Sequence, residues 1–269
     1  MTFREIEREL KLAGIDEATE EAVFLVSALA GIPRHELVFR RDEPLCAARL
    51  AEAVERRKKR EPLQYILGGW DFHGLHFSLN RDCLCPRADT ETLVDAAIAR
   101  VPQNGVFCDI GTGSGAIAVS VLHARPDLRA VCADISEGAL ACAAENAEAN
   151  GVAERCTFVR CDALDPQALA ALGTFDAVVS NPPYIRSAEI PSLAPELSYE
   201  PRRALDGGED GLVFYRAILD APICKAPPLY LFEIGFDQAE DLRQLAGERA
   251  RFCEIRKDLG GNDRVAILQ

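Results

Sequence analysis

The chain has no hydrophobic stretch long enough to cross a membrane. Its longest apolar run, from Ala22 to Ile32, falls well short of the roughly 18 residues a span needs. It also lacks a legible secretory leader, because the opening Thr2-Phe-Arg-Glu-Ile-Glu is acidic where a signal peptide is basic and then apolar. A cytoplasmic location is the expectation. It suits the ten cysteines, which remain thiols in a reducing compartment. Those cysteines include no Cys-x-x-Cys pair. Cys83-x-Cys85, Cys156-x4-Cys161 and His73-x2-His76 lack the further ligands that a zinc site requires, so no metal is expected. Positive charge is scarce too: 30 Lys and Arg face 43 Asp and Glu, for a net charge of −13. Residues 1–75 carry −2 of this and residues 76–269 carry −11, so the larger part has no general attraction for a phosphate backbone. Internal repeats and low-complexity tracts are absent.

What remains is a globular composition, 48% apolar and 27% charged over 269 residues, which fits a catalytic domain with a small companion. The first 67 residues read as a helical bundle. Thr2 and Glu5 form a potential capping box, Asp16 can cap a second helix through about Ala30, and Pro33 and Pro44 suit the first turns of two more. The last of these ends in Arg56-Arg-Lys-Lys-Arg60, before Glu61-Pro62 stops it. That basic run reads either as a solvated helix end or as a docking patch for an anionic partner. Residues 68–82 look like a hairpin turning at Gly74 and linking two domains.

From residue 83 onward strands and helices alternate. Strand-like runs are Val106–Asp109, Ala130–Asp134, Thr157–Cys161, Phe175–Ser180 and Leu229–Glu233, with Ala-rich helical stretches between them. This alternation predicts a doubly wound α/β parallel sheet with helices on both faces. The tail, Arg251–Arg256 and Arg264–Leu268 around Gly260-Gly-Asn, reads as an antiparallel hairpin at the sheet edge. Cys108 and Cys132 fall inside strands and serve there as small apolar residues.

The chemistry gathers at the ends of these strands. Asp109-Ile-Gly111-Thr112-Gly113-Ser114-Gly115 follows the first parallel strand and opens the helix Ala116–Ala124. Its glycines permit a sharp turn, and the helix start offers unpaired N–H donors. The spacing is not that of a dinucleotide-binding Gly-x-Gly-x-x-Gly, and no Walker lysine follows. Asp134 ends the second strand, where a carboxylate can accept both hydroxyls of a ribose, a feature of NAD and S-adenosylmethionine alike. The Asp162-Ala163 corner is placed to reach an adenine ring or is an ordinary strand-end turn. Asn181-Pro182-Pro183-Tyr184 ends the fourth strand. Its two prolines hold the loop stiff and leave the Asn181 side-chain oxygen and the Pro182 carbonyl free to accept hydrogen bonds. Such a pair suits a planar –NH2 group, directing its nitrogen at an electrophilic methyl, with Tyr184 stacking on the plane. Hydride transfer has no use for that arrangement, which favours S-adenosylmethionine over NAD.

Asp109–Gly115, Asp134 and Asn181–Tyr184 resemble the motifs of amino methyltransferases of the class I fold. Arg60–Gly68, Cys85–Glu91, Glu200–Gly211 and Gly260–Val265 are similar to one branch, the PrmC/HemK methyltransferases, and the resemblance covers nearly the whole chain. It implies a class I methyltransferase (Rossmann-like) domain over 83–269 and a substrate-recognising helical domain over 1–67. It also implies methylation of the glutamine in the Gly-Gly-Gln loop of class 1 peptide chain release factors, with S-adenosylhomocysteine as product. Gly111, Thr112, Gly113, Ser114, Gly115, Asp134, Asp162, Ala163 and Asn181 would contact the cofactor. Asn181, Pro182, Pro183 and Tyr184 would grip the glutamine, with Asn181, Pro182 and Tyr184 as the catalytic group. The chain departs from the family at Ala88, where a second proline is usual, at Cys85, where isoleucine is usual, and at Ala163, where some relatives carry a large side chain. Altered packing and cofactor affinity are what these departures imply. An adenine-specific DNA methyltransferase would use a similar loop, but it needs a basic face for its duplex, which a domain at −11 is poorly suited to supply. A cofactor-binding module without activity is the non-enzymatic alternative. Nothing in the sequence demands more than a monomer, a membrane or DNA as partner.

Overall fold

The structure is a computed structural model that describes residues 1–45, 48–247 and 252–269. The chain divides into two compact units, one comprising Met1–Gly69 and Ala194–Tyr199, the other Trp70–Leu193 and Glu200–Gln269.

In the first unit α1 (Phe3–Leu12) starts with the expected capping box. Thr2 Oγ1 accepts from the Glu5 amide and the Glu5 carboxylate accepts from the Thr2 amide. Phe3, Ile6 and Leu10 recur at helical spacing and are buried. Helix α2 (Ala18–Ala30) begins after Glu17 with no side-chain cap, so Asp16 is not the capping residue. The chain turns at Gly14 (φ 74°) and enters the helix a residue later than expected. No helix follows Pro33, because residues 34–39 form successive turns with bonds such as Glu36 N to Pro33 O at 2.9 Å. The helix expected from Pro44 is α3 (Ala48–Lys58), which starts later; Cys46 and Ala47 lie outside the described residues. Pro62 does not merely stop α3 but precedes a further short helix, α4 (Leu63–Leu67).

Four of the five cations at the basic end of α3 are engaged with carboxylates of the same unit, and Lys59 is exposed. Arg57 is 5% exposed, with Glu21 on one side of its guanidinium and Glu196 at 3.0 Å on the other. Arg56 pairs with Glu61, Lys58 with Glu9 and Glu55, and Arg60 with Glu196. Glu196 thus ties the 194–199 segment, far away in sequence, into the helical unit.

The second unit opens with a hairpin, β1 (Gly69–Phe72) and β2 (Leu75–Ser78), turning at His73 (φ 49°) and Gly74 (φ 76°). Helix α5 (Glu91–Arg100) then leads into the main sheet. Its strands are β3 (Val106–Ile110), β4 (Arg129–Asp134), β5 (Cys156–Arg160), β6 (Ala177–Ser180), β7 (Tyr230–Glu233), β8 (Phe252–Lys257) and β9 (Asp263–Leu268). Spatial order is β5-β4-β3-β6-β7-β9-β8. The first five strands are parallel, β9 runs antiparallel to β7, and β8 closes the edge. Arg251, at the start of the expected tail strand, lies outside the described residues.

Alternate residues on each strand feed two cores, because side chains in a strand point to opposite faces. Phe107, Cys132 and Leu231 join Leu93 and Val94 of α5 and Ile117 and Val119 of α6 (Ala116–Ala124) on one face. Cys108, Val178 and Phe232 join Leu169 of α8 (Pro166–Ala171), Tyr215 of α9 (Val213–Asp220) and Leu242 of α10 (Ala239–Ala246) on the other. Helix α7 (Glu137–Ala149) follows β4, capped by Ser136. Strand order reverses between β3 and β6, which leaves a crevice beyond their carboxyl ends, the usual ligand position in such sheets.

Candidate active site

A cavity of about 370 Å³ fills that crevice, and every residue lining it belongs to the second unit. Gly111–Ser114, Asp134, Cys161–Leu164 and Ser180–Pro183 border it. Four strand ends that are far apart in sequence therefore meet around one space.

The glycine turn is shaped by its backbone. Gly111, Gly113 and Gly115 have φ of 73°, 55° and 80°, a region that costs other residues strain. A Cβ on Gly111 or Gly113 would meet nothing within 4 Å, so the space beside them is open to a ligand; one on Gly115 would come within 3.1 Å of Ala143. Asp134 is held from two sides, Oδ2 accepting from the Gly113 amide and Oδ1 from the Ser136 amide, each at 2.9 Å. Asp109 lies beneath the turn, wholly buried, accepting from Thr112 Oγ1 at 2.7 Å. Burial pushes its carboxyl up to about 7, against the pull of Thr112 and the Ala118 amide. Its Oδ1 has no partner among the described residues. Asn146, on α7, braces the turn: its Nδ2 donates to Ser114 O at 2.9 Å and to Ser78 O, while its Oδ1 accepts from the Ser78 amide. Nothing in the sequence marked Asn146 as more than a helical residue.

The Asp162 corner also borders the cavity, with Oδ1 accepting from the Leu164 amide, and Ala163 lies half-buried beside it. Of the loop after β6, Asn181, Pro182 and Pro183 line the cavity. Tyr184 does not; its ring packs against the core cluster of Phe232 and Tyr215, and its hydroxyl donates to Glu233 Oε1 at 3.3 Å. The stacking expected of Tyr184 is thus not the arrangement found: once two prolines fix the direction of the chain, its ring fills a gap over β7. Burial and the facing Glu233 push the Tyr184 phenol well above its ordinary range.

Several supports could not be read from the sequence. The loop rests on a neighbouring strip, with Ile185 N donating to Leu205 O and Gly207 N to Ile185 O. A Cβ on Gly207 would stand 2.7 Å from both Pro183 O and Tyr184 Cα. Gln238, 1% exposed, donates to Tyr184 O at 3.1 Å and to Gly211 O. Glu200, also buried, accepts from the Cys85 amide at 3.0 Å and from Arg87. Arg264 bonds Asp258 at 3.0 Å and reaches Asp89 at 3.4 Å. The segment 200–211 therefore braces the loop directly, and 85–91 is tied to 200–211 and to Arg264. Of the departures from the family pattern, Cys85 is fully buried and Ala88 stands in a short turn, Ala88–Thr90. Asp82, Thr90, Arg203 and Phe214 also line the cavity; Thr90 and Arg203 fall in the family-like stretches 85–91 and 200–211 with no role of their own expected, and Asp82 and Phe214 fall in no motif.

A reversed parallel sheet with an antiparallel closing hairpin, a glycine turn after its first strand and an acidic residue ending the second are features of class I methyltransferases. The catalytic domain of hMettl16, solved in complex with an RNA hairpin, has this fold: TM-score 0.55 at 14% identity, over 82% of this chain and 79% of that one. Residues 2–68 match the PrmC N-terminal domain and residues 88–221 the methyltransferase small domain. The release factor glutamine methyltransferase of Geobacter sulfurreducens is 43% identical over 94% of this chain and 89% of its own length. That of Moorella thermoacetica is 38% identical over 99% and 98%. The chain belongs to the release factor glutamine methyltransferase family.

Proposed function

We propose that this protein transfers a methyl group from S-adenosylmethionine to the side-chain amide nitrogen of the glutamine in the Gly-Gly-Gln loop of class 1 peptide chain release factors, with S-adenosylhomocysteine as product. The observation that carries the reading is the single cavity shared by the glycine turn, Asp134 and Asn181–Pro183, where a methyl donor and a planar amide can meet. The names of the Geobacter and Moorella relatives supply the substrate.

The lining fits the cofactor. Asp134, immobilised by two backbone amides, presents a carboxylate suited to a ribose diol, and the uncovered backbone at Gly111 and Gly113 admits close approach. The Asp162–Leu164 corner and Ile135 offer a partly apolar surface for an adenine. When bound, S-adenosylmethionine supplies an electrophilic methyl on a positively charged sulfur.

The protein's part is to present the acceptor. An amide nitrogen is a weak nucleophile because its lone pair is delocalised into the carbonyl. The Asn181 side-chain oxygen and the Pro182 carbonyl accept its two N–H bonds and hold the nitrogen toward the methyl. Those bonds strengthen as the nitrogen becomes positive, so they stabilise the transition state more than the ground state. No base is needed before attack, since the methylated nitrogen is strongly acidic and gives its proton to water. Gln238 and Gly207 hold the loop that carries these acceptors.

The helical unit reads the surface of the protein substrate, because the cavity receives only one side chain and many glutamines are chemically alike. The reaction requires neither metal, DNA nor membrane, and one copy of the chain suffices for it. The test is mass spectrometry of unmethylated release factor incubated with the protein and S-adenosylmethionine, with fragmentation of the Gly-Gly-Gln peptide. One added methyl on that glutamine is expected; an unmodified release factor would exclude the substrate.

A further inference from the structure

For Asn181 to accept from an amide –NH2, its own side-chain amide must be the right way round. If it were rotated by 180°, –NH2 would face –NH2, two donors with nothing to accept. One hydrogen bond behind the loop bears on that orientation. Asn181 Nδ2 donates to Thr90 Oγ1 at 3.3 Å, and among the described residues no hydrogen bond occupies Asn181 Oδ1. Thr90 is 4% exposed, lies at the cavity wall, and is carried there by the Ala88–Thr90 turn. With its oxygen accepting from Asn181 Nδ2, the Thr90 hydroxyl holds that nitrogen and leaves Asn181 Oδ1 unoccupied. Glu233 is 3% exposed at the end of β7 and accepts from Tyr184 through Oε1, while its Oε2 has no partner among the described residues.

We propose that Thr90 is a positioning residue for the methyl transfer: by accepting from Asn181 Nδ2 it pins the amide with its nitrogen toward the protein and its oxygen toward the substrate. Thr90 does not touch the reacting atoms; it sets the polarity of the one side chain that does. The inference rests on the function proposed above and adds to it the group that fixes which way the acceptor amide faces.

The test uses the full-length protein, the release factor and S-adenosylmethionine. Thr90→Val keeps the branched shape and removes the hydroxyl. Turnover is expected to fall about 10- to 100-fold, the cost of leaving a buried polar group unpaired, while cofactor affinity by calorimetry changes less than about threefold. Thr90→Ser, which restores the hydroxyl, should recover most of the turnover, a recovery that packing alone does not predict. In an Asn181→Ala background, Thr90→Val should have almost no further effect, because the residue it acts through is gone. Full turnover in Thr90→Val, or an undiminished effect of that change in the Asn181→Ala background, overturns the proposal. An inactive parent protein that binds the cofactor would instead overturn the substrate reading.

Discussion

Two side chains at this site carry opposite kinds of cost. Asn181 is polar, partly exposed to the cavity and directly useful, and its replacement removes a stabilising acceptor. Asn181→Ala should lower turnover by about 100-fold or more with a smaller change in cofactor affinity, as single-turnover kinetics beside binding measurements would reveal. Unchanged turnover would remove Asn181 from the mechanism. Asp109 is wholly buried and charged at a cost, with its pKa raised from 3.8 to about 7 by desolvation. The folded state therefore holds this proton more tightly than the unfolded chain does. Stability should fall as pH rises from about 4 to about 7, by a few kcal/mol in total, and stay low above that. Asp109→Asn keeps the acceptor for Thr112 and removes the charge. Relative to the parent, it should gain stability between thermal melts at pH 5 and at pH 8. An equal difference at both pH values would show that the buried carboxylate is not the source.

Among the elements, the strip at 205–208 is the one on which the Asn-Pro-Pro loop depends most closely. Gly207 passes so near Pro183 and Tyr184 that an added methyl has only backbone to displace. Gly207→Ala is expected to cost about 1–3 kcal/mol in urea unfolding and to lower turnover disproportionately, since the shift falls on the loop itself. A variant with parental turnover would mean that the strip does not set the geometry of the loop. Asn146 plays the equivalent part for the glycine turn, linking the α7 helix, the β2 end and Ser114 O through one amide. Asn146→Leu fills a similar volume but abandons three hydrogen bonds. It should weaken S-adenosylmethionine binding by about tenfold or more, measured by calorimetry, because the turn loses the support that fixes its amides. The expected fourfold series of N-terminal helix starts succeeded at Thr2 and failed at Asp16 and Pro33.

Across the whole molecule the charge is acidic, yet its cations are not idle. In the helical unit Arg56, Arg57, Lys58 and Arg60 are engaged with Glu61, Glu21, Glu196, Glu9 and Glu55. The Arg57 guanidinium is the buried centre of that network. Glu196→Ala should destabilise the helical unit by about 1–3 kcal/mol, seen as an earlier unfolding transition in urea, because Arg57 keeps Glu21 but loses its second carboxylate. No loss of stability would mean that the 194–199 segment is held by apolar packing alone.

The sequence alone was sufficient for the α/β class, the closing hairpin, and the residues bordering the cavity at Gly111–Ser114, Asp134, Asp162 and Asn181–Pro183. These are local signals: strand periodicity, glycine at positive φ, a carboxylate or an Asn-Pro pair at a strand end, each legible in a few consecutive residues. The partners that make those residues competent were decided only by the tertiary structure. Thr90 meets Asn181 across 91 residues, Glu200 meets Cys85 across 115, and Glu196 meets Arg57 across 139. Tyr184 lies beside Asn181 in sequence but points to Glu233 in the core. Such pairings leave no periodic mark, because a side chain's hydrogen-bond partner is set by which strand ends the sheet order brings together, and that order is a property of the assembled fold.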